Sequence, residues 1–63
     1  MEKLTAAAVL EYQTRKQNLE PFTAQNFKAL GRELRDRYGL TDREALDILA
    51  DRDVLQILAS KGD

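Results

Sequence analysis

The chain contains no cysteine and no histidine, and only one proline. The first two absences exclude disulfides, thiolate and imidazole zinc sites, cysteine nucleophiles and histidine-based acid–base catalysis. Charge of one sign is also lacking: ten Lys and Arg stand against eleven Asp and Glu, for a net charge of −1. General affinity for polyanions is therefore not expected. No apolar run approaches the roughly 20 residues that span a bilayer. The apolar stretch Leu4 to Leu10 is too short for a signal peptide and lacks a small-residue cleavage site after it. A soluble, cytoplasmic protein is the expectation.

What is present reads as helix. The stretch from Phe22 to Leu49 holds two amphipathic segments joined at Gly39. Thr23 is placed to accept a bond from a first-turn amide, and Phe22 and Phe27 have the spacing of a hydrophobic staple. Phe27, Leu30, Gly31, Leu34 and Tyr38 then recur at three- and four-residue steps, predicting a helix over about 24–38. Gly39 supplies the left-handed stop, with Leu40 folding back toward Leu34. Thr41 and Glu44 form a capping box for a helix over about 42–50, whose face is Ala45, Ile48 and Leu49 with Leu46 beside them.

The flanks follow from the same rules. Ala6, Ala7 and Ala8 favour a first helix over about 3–18, and Pro21 forbids it beyond Leu19 or Glu20. At the other end, a short fourth helix over about 54–60 is preferred to one continuous helix from Asp42 to Ser60. Neither glycine nor proline interrupts that region, but Arg52 and Asp53 break the apolar stripe and shift it. The expectation is a single all-α domain, a bundle of three to four short helices around the central hairpin. Its core draws on Leu4, Ala8, Tyr12, Leu19, Phe22, Phe27, Leu30, Leu34, Tyr38, Leu40, Ala45, Leu49, Val54 and Leu58. A chain of this length buries only roughly 60% of its unfolded surface, so oligomerisation is the expected source of extra stability.

Function is less legible. Asp47 and Asp51 lie one turn apart, with Glu44 near Asp47, a spacing that can share a proton or hold a divalent cation. Interleaved with Arg43 and Arg52, they read instead as a solvated face, and no enzyme, metal, cofactor or small-molecule site is expected.

Leu34 to Ile48 resembles a helix-turn-helix, with Gly39 in the turn, Leu40 inside, and Ala45 and Ile48 buried. Leu40-Thr41-Asp42-Arg43-Glu44 also resembles the opening of response-regulator DNA-binding domains of the LuxR type, a likeness of five residues without the later helices. That resemblance implies nucleic-acid binding through Arg43 and a stripe of Lys28, Arg32 and Arg35. Arg35, however, stands where such motifs place a small residue, and the recognition helix would show Asp42 and Asp47 to phosphates.

The last forty residues are similar in pattern to ubiquitin-associated-like three-helix domains, with Tyr38-Gly39-Leu40 as the loop and Asp53 to Ala59 as the closing helix. That likeness implies a binding patch at Tyr38, Leu40 and Leu58; the same residues also suit a plain core. The preferred reading is a non-enzymatic protein-interaction module, acting on a protein partner or on itself as a homodimer. Its size suits a small bacterial or phage accessory protein. The contact residues expected are Ala6, Val9 and Leu10 on the first helix and Leu55 and Ile57 near the end, where apolar residues exceed what one small bundle covers.

Overall fold

A computed structural model describes residues 2–61. It contains four helices: α1 (Ala6–Gln17), α2 (Ala24–Tyr38), α3 (Asp42–Leu49) and α4 (Val54–Lys61). The fold is an all-α bundle with the α2–α3 hairpin at its centre.

The caps of the hairpin form as the sequence predicts. Thr23 Oγ1 accepts from the Asn26 amide at 3.1 Å. Gly39 adopts φ 67°, ψ 38°, and the amides of Gly39 and Leu40 both donate to the Arg35 carbonyl. Both halves of the α3 capping box are made: the Glu44 amide donates to Thr41 Oγ1 at 3.1 Å, and the Thr41 amide to Glu44 Oε1 at 2.9 Å.

Three expectations are corrected. First, α1 begins at Ala6 because Thr5 is its cap, accepting from the Ala8 amide at 3.1 Å. Leu4 precedes the helix in extended chain and is buried there. The segment is tied down by the Glu2 amide, which donates to the Arg37 carbonyl. Second, α1 ends at Gln17 with Asn18 as cap, before the corner that carries a cis Glu20–Pro21 bond. Third, Phe22 is not core. It stacks on Phe27 with ring centroids 6.0 Å apart but remains 60% exposed. The extended Thr23 carries it outside the bundle, so the staple covers half-buried Phe27 from the solvent side.

Residues 42–60 are two helices. After α3, the Arg52 amide donates to the Asp47 carbonyl at 2.7 Å and the Asp51 amide to the Ile48 carbonyl at 3.1 Å. This is a Schellman motif. Its left-handed residue is Asp51, φ 59°, where glycine is usual, and Asp53 follows with φ 51°. Aspartate enters that region more readily than most side chains.

The core centres on Tyr12, Leu34, Ile48 and Leu49. Gly31 is buried where α2 crosses α3. A Cβ there would stand 3.3 Å from Leu46 Cδ2 and 3.7 Å from Leu49 Cδ1, so its absence sets how closely the helices approach.

Tyr12 also organises the polar shell over α1 and α2. Its ring meets Tyr38 edge-on, centroids 6.3 Å apart and planes at 84°. Its hydroxyl donates to Glu33 Oε2 at 3.0 Å, and Arg15 holds the same carboxylate through two guanidinium nitrogens while lying over the Tyr12 ring. The Arg15 hydrogen bond keeps the Glu33 carboxyl below the usual carboxylate range, against an opposing effect of partial desolvation. Arg37 does the same for Glu2.

The folded chain therefore binds these protons less readily than the unfolded chain. The stabilisation is complete above the unfolded carboxylate value, roughly 4.3, and is lost as pH falls through the lower folded value. The expected result is a melting temperature that falls on acidification below the unfolded carboxylate value, with Glu33→Gln less acid-sensitive than the parent. Thermal melts followed by circular dichroism test it; an unchanged acid response in Glu33→Gln would remove Glu33 as the cause. Glu33 and Arg15 are about half exposed, so salt should shrink the effect.

Candidate functional site

Among the described residues no polar or charged residue is buried, and no buried side-chain nitrogen or oxygen lacks a hydrogen-bond partner. No group of three or more potential metal-ligating side chains occurs among them. The acidic residues singled out on α3 have structural tasks. Glu44 closes the capping box and lies 3.7 Å from Lys61 Nζ, Asp47 lies 3.9 Å from Arg43, and Asp51 Oδ1 accepts from Gln13. On the surface, two places stand out.

The first surrounds the α3–α4 corner. Gln13 Nε2 donates to the Ile48 carbonyl at 3.0 Å and to Asp51 Oδ1 at 3.2 Å, so this flank of α1 faces the corner. Leu10 and Ala6, three and seven residues before Gln13, share that flank by helical phase. Both are exposed, Leu10 to 65%. On α4, Gln56 and Ser60 line a cleft with Arg43 and Asp47. Leu55 lies on the opposite flank and is 84% exposed. Thus Leu10 stands one turn from the residue that touches the corner, and Leu55 in the first turn after it.

Two of the five expected contact residues do not belong to this surface. Val9 and Ile57 are buried. Val9 is three residues before Tyr12 and turns inward with it, and Ile57 is the residue that α4 commits to the core. The patch implied by the ubiquitin-associated likeness is not exposed either. Tyr38 packs on Tyr12, Leu40 is buried behind the Gly39 turn, and Leu58 is half-buried against the core.

The second place is a cleft of about 300 Å³ between α2 and α3, lined by Lys28, Gly31, Arg32, Arg35, Asp42 and Leu46. Lys28, Arg32 and Arg35 thus come together as their spacing predicts. Arg43 does not join them; it lies on the far flank of α3 and lines the cleft with α4. Within the trio, Arg35 is engaged by Asp36 and Asp42, whose hydrogen bonds raise its pKa further. Lys28 and Arg32 make no ion pair among the described residues. Sequence reasoning named the cations but missed the floor, Gly31 and Leu46, the latter 37% exposed. The available signal was Gly31 itself, the one position of the α2 apolar stripe without a side chain.

Among the described residues no helix is long and apolar enough to cross a membrane. No family model, curated protein or solved structure matches this chain.

Proposed function

We propose that the chain is a non-enzymatic protein-interaction module that pairs with a second copy of itself through the surface around the α3–α4 corner. The observation that carries this reading is the exposure of Leu55 and Leu10, at 84% and 65%, the two most exposed large apolar side chains, with Phe22 away from the corner at 60%. Isolated exposed leucines are ordinary; here Leu10 lies one turn before Gln13, which touches the corner, and Leu55 is the second residue of α4 after it, so association at the corner would draw on both.

The corner supplies matching charge. Asp51, Arg52 and Asp53 are all exposed there, a cation between two anions. In a two-fold pair the same patch meets itself, so Arg52 of each copy faces acidic residues of the other. Four leucines withdrawn from water contribute on the order of 6–12 kcal/mol. Association costs about 4–15 kcal/mol. A weak dimer is the expected outcome.

Sedimentation equilibrium from about 1 µM to 1 mM, the range of weak association, tests the reading. The parent is expected to move from monomer to dimer across that range. A Leu10→Glu, Leu55→Glu double variant should stay monomeric with unchanged far-ultraviolet circular dichroism, since both sites are solvent-facing. A parent that remains monomeric at the top of the range ends the proposal.

A further inference from the structure

We infer that the cleft between α2 and α3 is a second docking site, and that its occupant is an acidic amphipathic helix of a partner protein. One apolar side chain of that helix enters over Gly31 and Leu46, and carboxylates on either side of it pair with Lys28 and Arg32. The inference goes beyond self-association and uses none of the corner residues.

Three features select this occupant. The floor is apolar: Leu46 lies beside the space with more than a third of its surface exposed, and it packs over Gly31, whose missing Cβ lets α3 lie close to α2. A volume of about 300 Å³ admits one leucine or phenylalanine side chain and sits at the lower limit of small-molecule pockets. The rim is cationic: Lys28 and Arg32 carry charge that no described acidic residue neutralises, while Asp42 is already held by Arg35. Finally, Lys28 and Arg32 are four residues apart on one helix, a repeat of about 6 Å. A second helix lying along α2 offers carboxylates at the same repeat when they are spaced i and i+4, with an apolar side chain between them.

Nucleic acid fits these features less well. A duplex makes no use of an apolar floor, Asp42 in the cleft lining would repel phosphates, and Arg35 is already paired with Asp36 and Asp42. Two uncommitted cations would release few counterions and give only weak binding with a shallow salt dependence.

The test is selection from a displayed library of random helical peptides of about 14 residues, or four turns, against the intact chain. Charge composition is left open in the library. Selected peptides are then measured by fluorescence anisotropy beside a labelled random DNA duplex. The expected result is enrichment of Asp or Glu at i and i+4 around a Leu, Phe or Met. Binding should fall about tenfold in Lys28→Glu, Arg32→Glu. Leu46→Asp, which puts a carboxylate at the partly exposed apolar floor, should weaken it several-fold with folding retained. The Leu10→Glu, Leu55→Glu variant should bind as the parent does, which separates failure here from failure of the dimer. Enrichment of basic peptides, a selected peptide indifferent to the Lys28 and Arg32 changes, no enrichment at all, or tighter binding of the duplex would each overturn the inference.

Discussion

Replacing Tyr12 with alanine is expected to leave much of the protein unfolded at room temperature. The ring is completely buried at the meeting of α1 and α2 and packs edge-on against Tyr38. Removing a buried aromatic ring costs about 3–5 kcal/mol. A 63-residue chain has a total stability of roughly 3–9 kcal/mol, so the two quantities are comparable. Tyr12→Phe separates packing from polarity. It keeps the ring and removes only the hydroxyl that donates to Glu33. Glu33 is half exposed and retains Arg15, so the loss should be about 1 kcal/mol. Urea unfolding followed by circular dichroism reads both. A Tyr12→Ala protein with the parent's midpoint would contradict the placement of this ring at the centre of the core.

The second large effect contrasts two residues on one short helix. Ile48→Ala should cost about 2–5 kcal/mol, because Ile48 is wholly enclosed and its removal leaves a cavity. Leu46→Ala, two residues away, should cost less than about 1 kcal/mol, because Leu46 lies at the cleft and water can occupy the space it leaves. The Ile48 carbonyl that receives Gln13 is backbone and survives the substitution, so the difference reports packing alone. Equal midpoints for the two variants would mean that α3 is rotated from the face described above.

The central hairpin was legible in the sequence because several independent signals coincide there. Thr23, Gly39, Thr41 and Glu44 are local determinants that act within four residues, and each forms the bond that its type and position imply. The bounds of α2 follow from them directly. The outer helices were harder for a physical reason. The expected start near residue 3 overlooked the Thr5 hydroxyl, which caps the helix at Ala6, and the burial of Leu4 ahead of it.

Burial was legible wherever a 3.6-residue period is unbroken, as from Leu30 to Tyr38. It failed at Val9 and Ile57, in segments apolar on nearly every side, where periodicity does not say which residue turns inward. Phe22 failed differently: its pairing with Phe27 was read correctly, but pairing does not imply enclosure. For the α2–α3 cleft, Gly31 hinted at a close approach, but the cavity's depth arises from a helix crossing whose angle no local pattern records.

The turn between α3 and α4 is held by local hydrogen bonds and by tertiary packing together. Its turn holds two aspartates, Asp51 and Asp53, in a backbone region that costs most side chains about 1–2 kcal/mol, and no glycine or proline compels the chain to fold there. What keeps it folded is the pair of turn hydrogen bonds, the Gln13 side chain on Ile48 and Asp51, and the seating of Ile57, Val54 and Leu58 against the remainder of the molecule. Whatever unseats the closing helix therefore also relaxes the twist at these aspartates. The tail of the chain and the elbow that carries it are released together, as one mechanical unit.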